Sequence, residues 1–316
     1  MNWMMRAASL LLGTVMLLGT STIALARQAE PAAKVTPPVP LLWKVSGPQG
    51  AQLYLLGSFH LLKQDDYPLS PDVDKAFEAS NRLLFELPPE DMNSPALATQ
   101  MLQAAMRRDG RQLKDELDAA TWKRLEDYAA ANNMPLERLV GFKPWFIGLT
   151  ISISQMTRQG LDAEAGLDRH LMARATQAGK PAAGLETASS QISMLDGMSA
   201  EEQRQLLREA LEQVEKGDEQ SRQLHAAWRR GDDVVLWRDM AAQMKRDYPG
   251  LYQRINVERN DAWLAPLQQR LQAGQGNTLV VVGALHLLGS DGVVEKLRAR
   301  GYKVERICSA CKPEKR

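Results

Sequence analysis

Apolar runs of strand length stand towards both ends of this 316-residue chain, and amphipathic helical patterning fills its middle. Towards the front, residues 43–46 and 52–56 flank the turn signal Gly47-Pro48-Gln49-Gly50 and predict a hairpin. Ser70 and Pro71 have the residue types of an N-cap and a first helical position, so a helix is expected from there to Ser80. Arg82-Leu83-Leu84-Phe85-Glu86-Leu87 then reads as a strand, stopped by Pro88-Pro89. Towards the back, residues 279–282 predict a strand and Ser290-Asp291 the cap of a helix running to Arg300. A last strand follows at 302–307, and this strand–helix–strand unit favours parallel pairing.

Residues 94–273 carry apolar positions at helical spacing. Asp118 or Thr121 can cap a helix bearing Trp122, Leu125 and Tyr128, and residues 142–156 predict a buried helix. Ser199-Ala200-Glu201-Glu202 is a capping box opening a helix through Lys216. One segment returns to the sheet: a helix from Gly166 to about Gly179, then residues 182–187 as a brief strand ending on the carboxylate of Glu186. The expected fold is therefore α/β, with a central mixed sheet built from both ends of the chain and a large inserted helical block. Trp228, Trp237, Tyr252 and Trp263 read as core.

Two strands are near copies. Leu53-Tyr54-Leu55-Leu56-Gly57-Ser58-Phe59-His60-Leu61-Leu62 and Leu279-Val280-Val281-Val282-Gly283-Ala284-Leu285-His286-Leu287-Leu288 both run from apolar strand through Gly-x-x-His to a leucine pair. They hold two of the four histidines. Each histidine emerges just past the carboxyl end of a strand, where open α/β sheets place ligands. Glu86 is a carboxylate near the end of an otherwise apolar strand, so burial would demand a cation, donor or metal. His60, Glu86 and His286 form a common ligand set for a divalent metal with an open position, which is hydrolytic chemistry. Glu186 could act as a general base or orient a histidine. The plainer alternative is that each histidine caps its strand by bonding backbone groups.

The remaining candidates have bland readings. His225 lies on an amphipathic helix, where packing or solvent explains it. Asp168, near a helix start, is favoured there by unpaired amides, and it cannot share a helix face with His170 two residues on. Arg259-Asn260-Asp261 reads as a solvated polar face.

Composition narrows the setting. Residues 1–26 have the form of a secretory signal, with Arg6 before the apolar Leu10 to Leu18 and Ala24-Leu25-Ala26 as a cleavage site. Residues 27–41, with four prolines, read as a linker, residues 42–311 as a single domain with its helical insertion at about 94–273, and 312–316 as a tail. Without Arg6 the chain carries 38 basic against 38 acidic residues, which argues against a nucleic-acid partner. The apolar leader is too short for a comfortable span, so no stable membrane anchor is expected. A periplasmic or secreted location follows. There Cys308 and Cys311 would most simply pair with each other, since zinc needs two further ligands.

These residues resemble the TraB/GumN family, also called the TraB/PrgY/Tiki group, and within it the bacterial exported GumN-like branch. The resemblance rests on Trp43-Lys44-Val45, Leu55 to His60, Tyr67-Pro68-Leu69, Phe85-Glu86-Leu87, Gly166-Leu167-Asp168, Gly184-Leu185-Glu186-Thr187, Arg259-Asn260 and Val281 to Gly289. It implies a fold similar to erythromycin esterase-like and ChaN-like proteins. It further implies a metal-dependent protease site in which His60, Glu86 and His286 bind manganese, cobalt or zinc. Arg259 and Asn260 become site residues on the same ground. The expected activity is that of an exported metal-dependent hydrolase on a peptide or other small substrate. The alternative is a non-catalytic binding protein using the same pocket for peptide, haem or saccharide.

Overall fold

The computed structural model describes residues 36–311; the signal, the linker up to residue 35 and the tail lie outside them. Six strands form one mixed sheet: β1 (Leu42–Ser46), β2 (Gln52–Ser58), β3 (Arg82–Phe85), β4 (Ala182–Gly184), β5 (Thr278–Gly283) and β6 (Lys303–Arg306). Their order across the sheet is β4-β3-β5-β2-β1-β6. β4, β3, β5 and β2 are parallel, while β1 pairs antiparallel with both β2 and β6. The sheet thus joins strands from both ends of the chain, and the protein is α/β.

β5 is Thr-Leu-Val-Val-Val-Gly and is buried on both faces, the continuous apolar pattern of a central parallel strand covered by helices. It lies between β3 and β2, so the two Gly-x-x-His strands are immediate neighbours. Gly57 stands opposite Val282 and Ser58 opposite Gly283. Neither glycine needs a left-handed backbone; each is required by close approach. A Cβ on Gly57 would sit 3.2 Å from Ala284 Cα and from Leu41 Cβ. Trp228 Nε1 donates to the Gly57 carbonyl at 3.0 Å, fixing the end of β2.

The two largest apolar cores draw on different helices. Trp228 from the Asp218–Arg230 helix, and Trp263, Leu264, Leu267 and Leu271 from the Glu258–Ala273 helix, pack into the sheet core. Leu125, Ile147, Ile151, Leu207 and Leu211 form a separate core shared by the helices Ala119–Ala131, Pro144–Arg158 and Ala200–Glu215. The inserted block is therefore not uniform: the Leu167–Gln177 helix and its last helices pack on the sheet, and others bury their apolar faces on one another.

Several local expectations change. β6 takes β1, not β5, as its partner, and closes the far edge of the sheet antiparallel to it. The final helix starts at Val293 with Gly292 as its cap, because the Asp291 carboxylate is drawn to Lys245 Nζ at 2.6 Å instead. His225 is neither simple packing nor a solvated residue. Its Nε2 is 2.8 Å from Asp66 Oδ2, and the fully buried Asp66 also accepts from Arg229 and from the Lys63 amide. Burial would raise the Asp66 pKa, but these donors hold it below its ordinary value. Residues 36–41 lie against the fold: Val39 N–H donates to the Arg229 carbonyl at 2.7 Å, and Leu41 is buried. Cys308 and Cys311 form a disulfide. No helix among the described residues is long and apolar enough to cross a membrane.

Candidate active site

Three neighbouring strands deliver the central groups. His60 follows β2, Glu86 is the residue after β3, and His286 lies on the 3-10 turn Ala284–Leu287 that leaves β5. His60 Nε2 is 3.8 Å and His286 Nε2 3.9 Å from Glu86 Oε1. Gly283 N–H donates to that same oxygen at 2.7 Å. Gly283 keeps the gap between the histidines open: a Cβ there would lie 3.2 Å from Glu86 Oε1, 3.5 Å from His60 Nε2 and 3.6 Å from His286 Cδ2.

Both rings are held from behind. His60 Nδ1 is 2.9 Å from Asp168 Oδ2, and Ser58 Oγ donates to Asp168 Oδ1 at 3.1 Å. Asp168 reaches His60 because the chain after β2 bridges to the segment before the Leu167–Gln177 helix. Leu62 and Asp162 exchange backbone bonds, and Leu167 N–H donates to the Phe59 carbonyl. Gly166 makes this approach possible, since a Cβ there would come within 2.8 Å of the His60 carbonyl carbon and closer still to its oxygen. Asp168 therefore serves the site and not only its own helix start.

His286 is buried and its tautomer is set by its neighbours. Asn260 Nδ2 donates to the Asp291 carbonyl at 2.8 Å, which leaves Oδ1 to face His286 Nδ1 at 2.7 Å. Nδ1 therefore carries the proton. His286 Nε2 in turn accepts from Arg259 Nη1 at 3.0 Å. Burial pushes the His286 pKa down to about 3, with Glu86 opposing and Arg259 and His60 adding to the fall. The ring is neutral at physiological pH.

Arg259 is the hub. Its Nη2 donates to Glu86 Oε2 at 2.6 Å and to Glu186 Oε2 at 3.0 Å, and its Nε to Glu186 Oε1 at 2.9 Å. Trp263 Nε1 donates to Glu186 Oε1 at 2.9 Å, and Gln191 Nε2 to Glu186 Oε2 at 3.0 Å. Burial would raise the Glu86 pKa, but the charges of His286, Arg259 and His60 and the Gly283 amide hold it below the usual carboxylate range. With His286 neutral, Arg259 is the neighbour that sustains this. Burial likewise works against the charge on Arg259, and the carboxylates of Glu86 and Glu186 outweigh it.

His60 differs in being open, with 58% of its side chain exposed. Asp168 pulls its pKa upward, desolvation opposes, Glu86 adds and Arg259 subtracts; solvent screens the whole balance. The open side of the site is thus the His60 side. A groove of about 480 Å³, whose lining includes none of these site residues, is formed by Gln64, Tyr67, Asn93, Arg169, His170 and Met172, among others. His170 stacks on Tyr67 with ring centroids 4.1 Å apart.

His60, Glu86, His286, Glu186, Arg259 and Asn260 are thus brought together, and the solvated-face reading of Arg259-Asn260 is corrected by their burial. Asp168, Gln191 and Trp263 join them; Asp168 stands in one of the stretches that carry the family resemblance but by itself reads as a helix-start residue, and no sequence pattern marks Gln191 or Trp263 for this role. For a divalent cation the donor types fit, and the 3.8 and 3.9 Å spacings can be spanned by ligands about 2.0–2.2 Å from one ion. The arrangement is not closed around such a point: no ready group of three or more His, Cys, Asp or Glu ligands exists among the described residues. The single Nε2 lone pair of His286 is meanwhile engaged by Arg259.

Residues 41–306 match the sequence model of the TraB/PrgY/gumN family, a span that runs from just before β1 to the end of β6. The chain is 25% identical over 263 residues to the uncharacterized protein YbaP of Escherichia coli (strain K12), covering 79% of this chain and 89% of YbaP. YbaP of Shigella flexneri matches with the same identity and coverage. No solved structure matches.

Proposed function

Because the chain belongs to the TraB/PrgY/gumN family, we propose that it is an exported metal-dependent hydrolase, acting on peptides, whose ligands are His60, Glu86 and His286. The observation that carries this reading is the convergence of two histidine Nε2 atoms on one carboxylate oxygen, from three adjacent strands. A divalent ion held there (manganese, cobalt or zinc) would supply a Lewis acid that polarises a carbonyl and acidifies water. The chain's own residues do the rest. Asn260 keeps the His286 proton on Nδ1, so that its Nε2 faces the gap as a base, and Asp168 holds Nδ1–H of His60, so that a proton given up by that ring leaves from Nε2. Arg259 holds Glu86 ionised and fixes Glu186 in place through Nε and Nη2. Substrate approaches from the exposed His60 side.

Export is part of the proposal. The leader-like N-terminus and the Cys308–Cys311 disulfide support it. Protein recovered from the envelope of an expressing bacterium should begin at Arg27, read by N-terminal sequencing; a mature chain beginning at Met1 would contradict it.

The direct trial is chelator-treated protein given manganese, cobalt or zinc and offered a peptide library. Cleavage should return with metal and be absent in His60→Ala and His286→Ala. No metal binding, with unchanged behaviour of both variants, would sink the reading. Gly283→Ala tests the gap itself. Its backbone, at φ −49° and ψ 135°, suits alanine, so stability should move by no more than about 1 kcal/mol. The added methyl would enter the space between the histidines, and turnover should fall by about tenfold or more, measured as kcat/KM beside a thermal melt.

A second reading, a binding protein without turnover, is favoured by one observation: a groove lined by none of the His–Glu residues offers the side-chain amides of Gln64 and Asn93. Retention of peptide, haem or saccharide by protein that cleaves nothing, with or without metal, would favour it.

A further inference from the structure

Three hydrogen bonds in the site decide what the imidazole of His286 can do. Asn260 spends its amide N–H on the Asp291 carbonyl, so its oxygen must face His286 Nδ1 and the proton must lie on that nitrogen. Nε2 then has one lone pair, and Arg259 Nη1 already donates to it at 3.0 Å. A lone pair cannot serve a guanidinium N–H and a metal together. The same guanidinium donates to Glu86 Oε2, so it bridges two of the three proposed ligands.

We propose that Arg259 is an internal cation that stands in for the metal, and that loading requires Nη1 to leave His286. This rests on the reading that His60, Glu86 and His286 bind a divalent ion. The side chain is built for such a movement. Glu186 grips it through Nε and Nη2 at 2.9 and 3.0 Å, and because the guanidinium is planar and rigid, Nη1 withdraws only as the whole plane tilts with Glu186 still attached. Trp263 provides a ring beneath the guanidinium, 5.1 Å from its carbon, and itself fixes Glu186 through Nε1. The Ile255 carbonyl, 3.3 Å from Nη1, is a second acceptor on the same helix run. Metal entry therefore breaks the contact to His286 while the arginine stays clamped to Glu186. The positive charge remains close by and repels the ion, so the site binds metal more weakly than its ligand set would alone. In the metal-free protein the carboxylates stay paired, and the ligands keep their places.

The sign of one measurement separates this role from ordinary support. Losing an outer-shell partner of a metal ligand typically weakens affinity by about 10–100-fold. If Arg259 competes with the ion, its removal does the opposite. Chelator-treated wild type and Arg259→Gln are titrated with manganese, following the free Mn(II) signal by electron paramagnetic resonance, and melted with and without manganese. The expected result is affinity raised by about tenfold or more in the variant, with a larger manganese-induced rise in Tm. Should Arg259→Gln not fold, Arg259→Lys takes its place: it keeps a charge but cannot reach Glu86, Glu186 and His286 at once, so its affinity should also exceed wild type. Manganese bound by wild type with variant affinity equal or lower overturns the proposal and leaves the metal reading standing. No manganese binding by wild type or variant overturns both.

Discussion

Arg259→Ala should destabilise the protein by about 3–5 kcal/mol, the cost of breaking a buried ion pair by removing one partner. That range applies because neither carboxylate can turn to water: Glu86 and Glu186 side chains are only 10% and 12% exposed. Both would be left close together, with the Gly283 amide, Gln191 and Trp263 as their remaining donors. A loss of that size is a large share of a typical margin of about 5–15 kcal/mol. Urea denaturation of metal-free protein at neutral pH measures it. The wild type has a matching pH dependence. The Glu86 pKa is depressed, so its pairing contributes fully above the ordinary value of 4.5 and is lost as pH falls through the lowered folded value. Arg259→Ala should therefore differ most from wild type near neutrality and less in acid. A variant as stable as wild type at pH 7 would show that the network does not hold the site together.

Asp168→Asn should leave the fold in place, at a cost of about 1.5–3 kcal/mol for hydrogen bonds to a charged group, yet remove most of the activity. The carboxylate accepts from Ser58 and faces His60 Nδ1. An asparagine turned with its amide nitrogen to that ring would make Nδ1 the acceptor and move the proton to Nε2. Nε2 would then point into the site without a lone pair. The same reversal of tautomer lowers turnover by about 10⁴-fold in serine proteases, so a loss of about 10²–10⁴-fold is expected in kcat. A readout independent of turnover is the titration of His60 in metal-free protein by NMR. In wild type Asp168 raises its pKa above 6.5, so their pairing adds stability below 6.5 and loses it as pH rises through the folded value. In the variant the pKa should fall back. An unchanged titration would mean that Asp168 does not govern the ring.

The parts of the site that the sequence exposes are those with a local signature. His60 and His286 follow near-identical apolar runs, and Glu86 is a charge at the end of a strand, where burial without a partner is costly. Asp168 has no such mark: an aspartate in a first helical turn is also what the helix dipole favours, and its pairing with a residue 108 positions away leaves no trace in spacing. Gln191 is one more polar residue on an amphipathic helix. Arg259 and Asn260 look solvated because regular helical counting assumes about 3.6 residues per turn. The helix instead passes through a wider, π-helical turn at Gln253–Val257 just before them, which shifts the phase of the turns after it. Family resemblance, not periodicity, points to that pair. The partner of β6 is likewise hidden, since a strand–helix–strand pattern gives direction but not which edge remains free.

The position of β5 between β2 and β3 also sets when the site can exist. Those two strands do not pair with each other; the strand that unites them is the fifth of six. A growing chain holds His60, Glu86 and Asp168 long before it holds the ladder that aligns them, Arg259 comes shortly before it, and His286 comes after the whole helical block. Competence is thus deferred until synthesis is almost complete. Fragments released early carry most of the chemical groups and none of their arrangement, so whatever this site acts on is spared during the making of the protein. Activity, once seen, reports a chain that is whole.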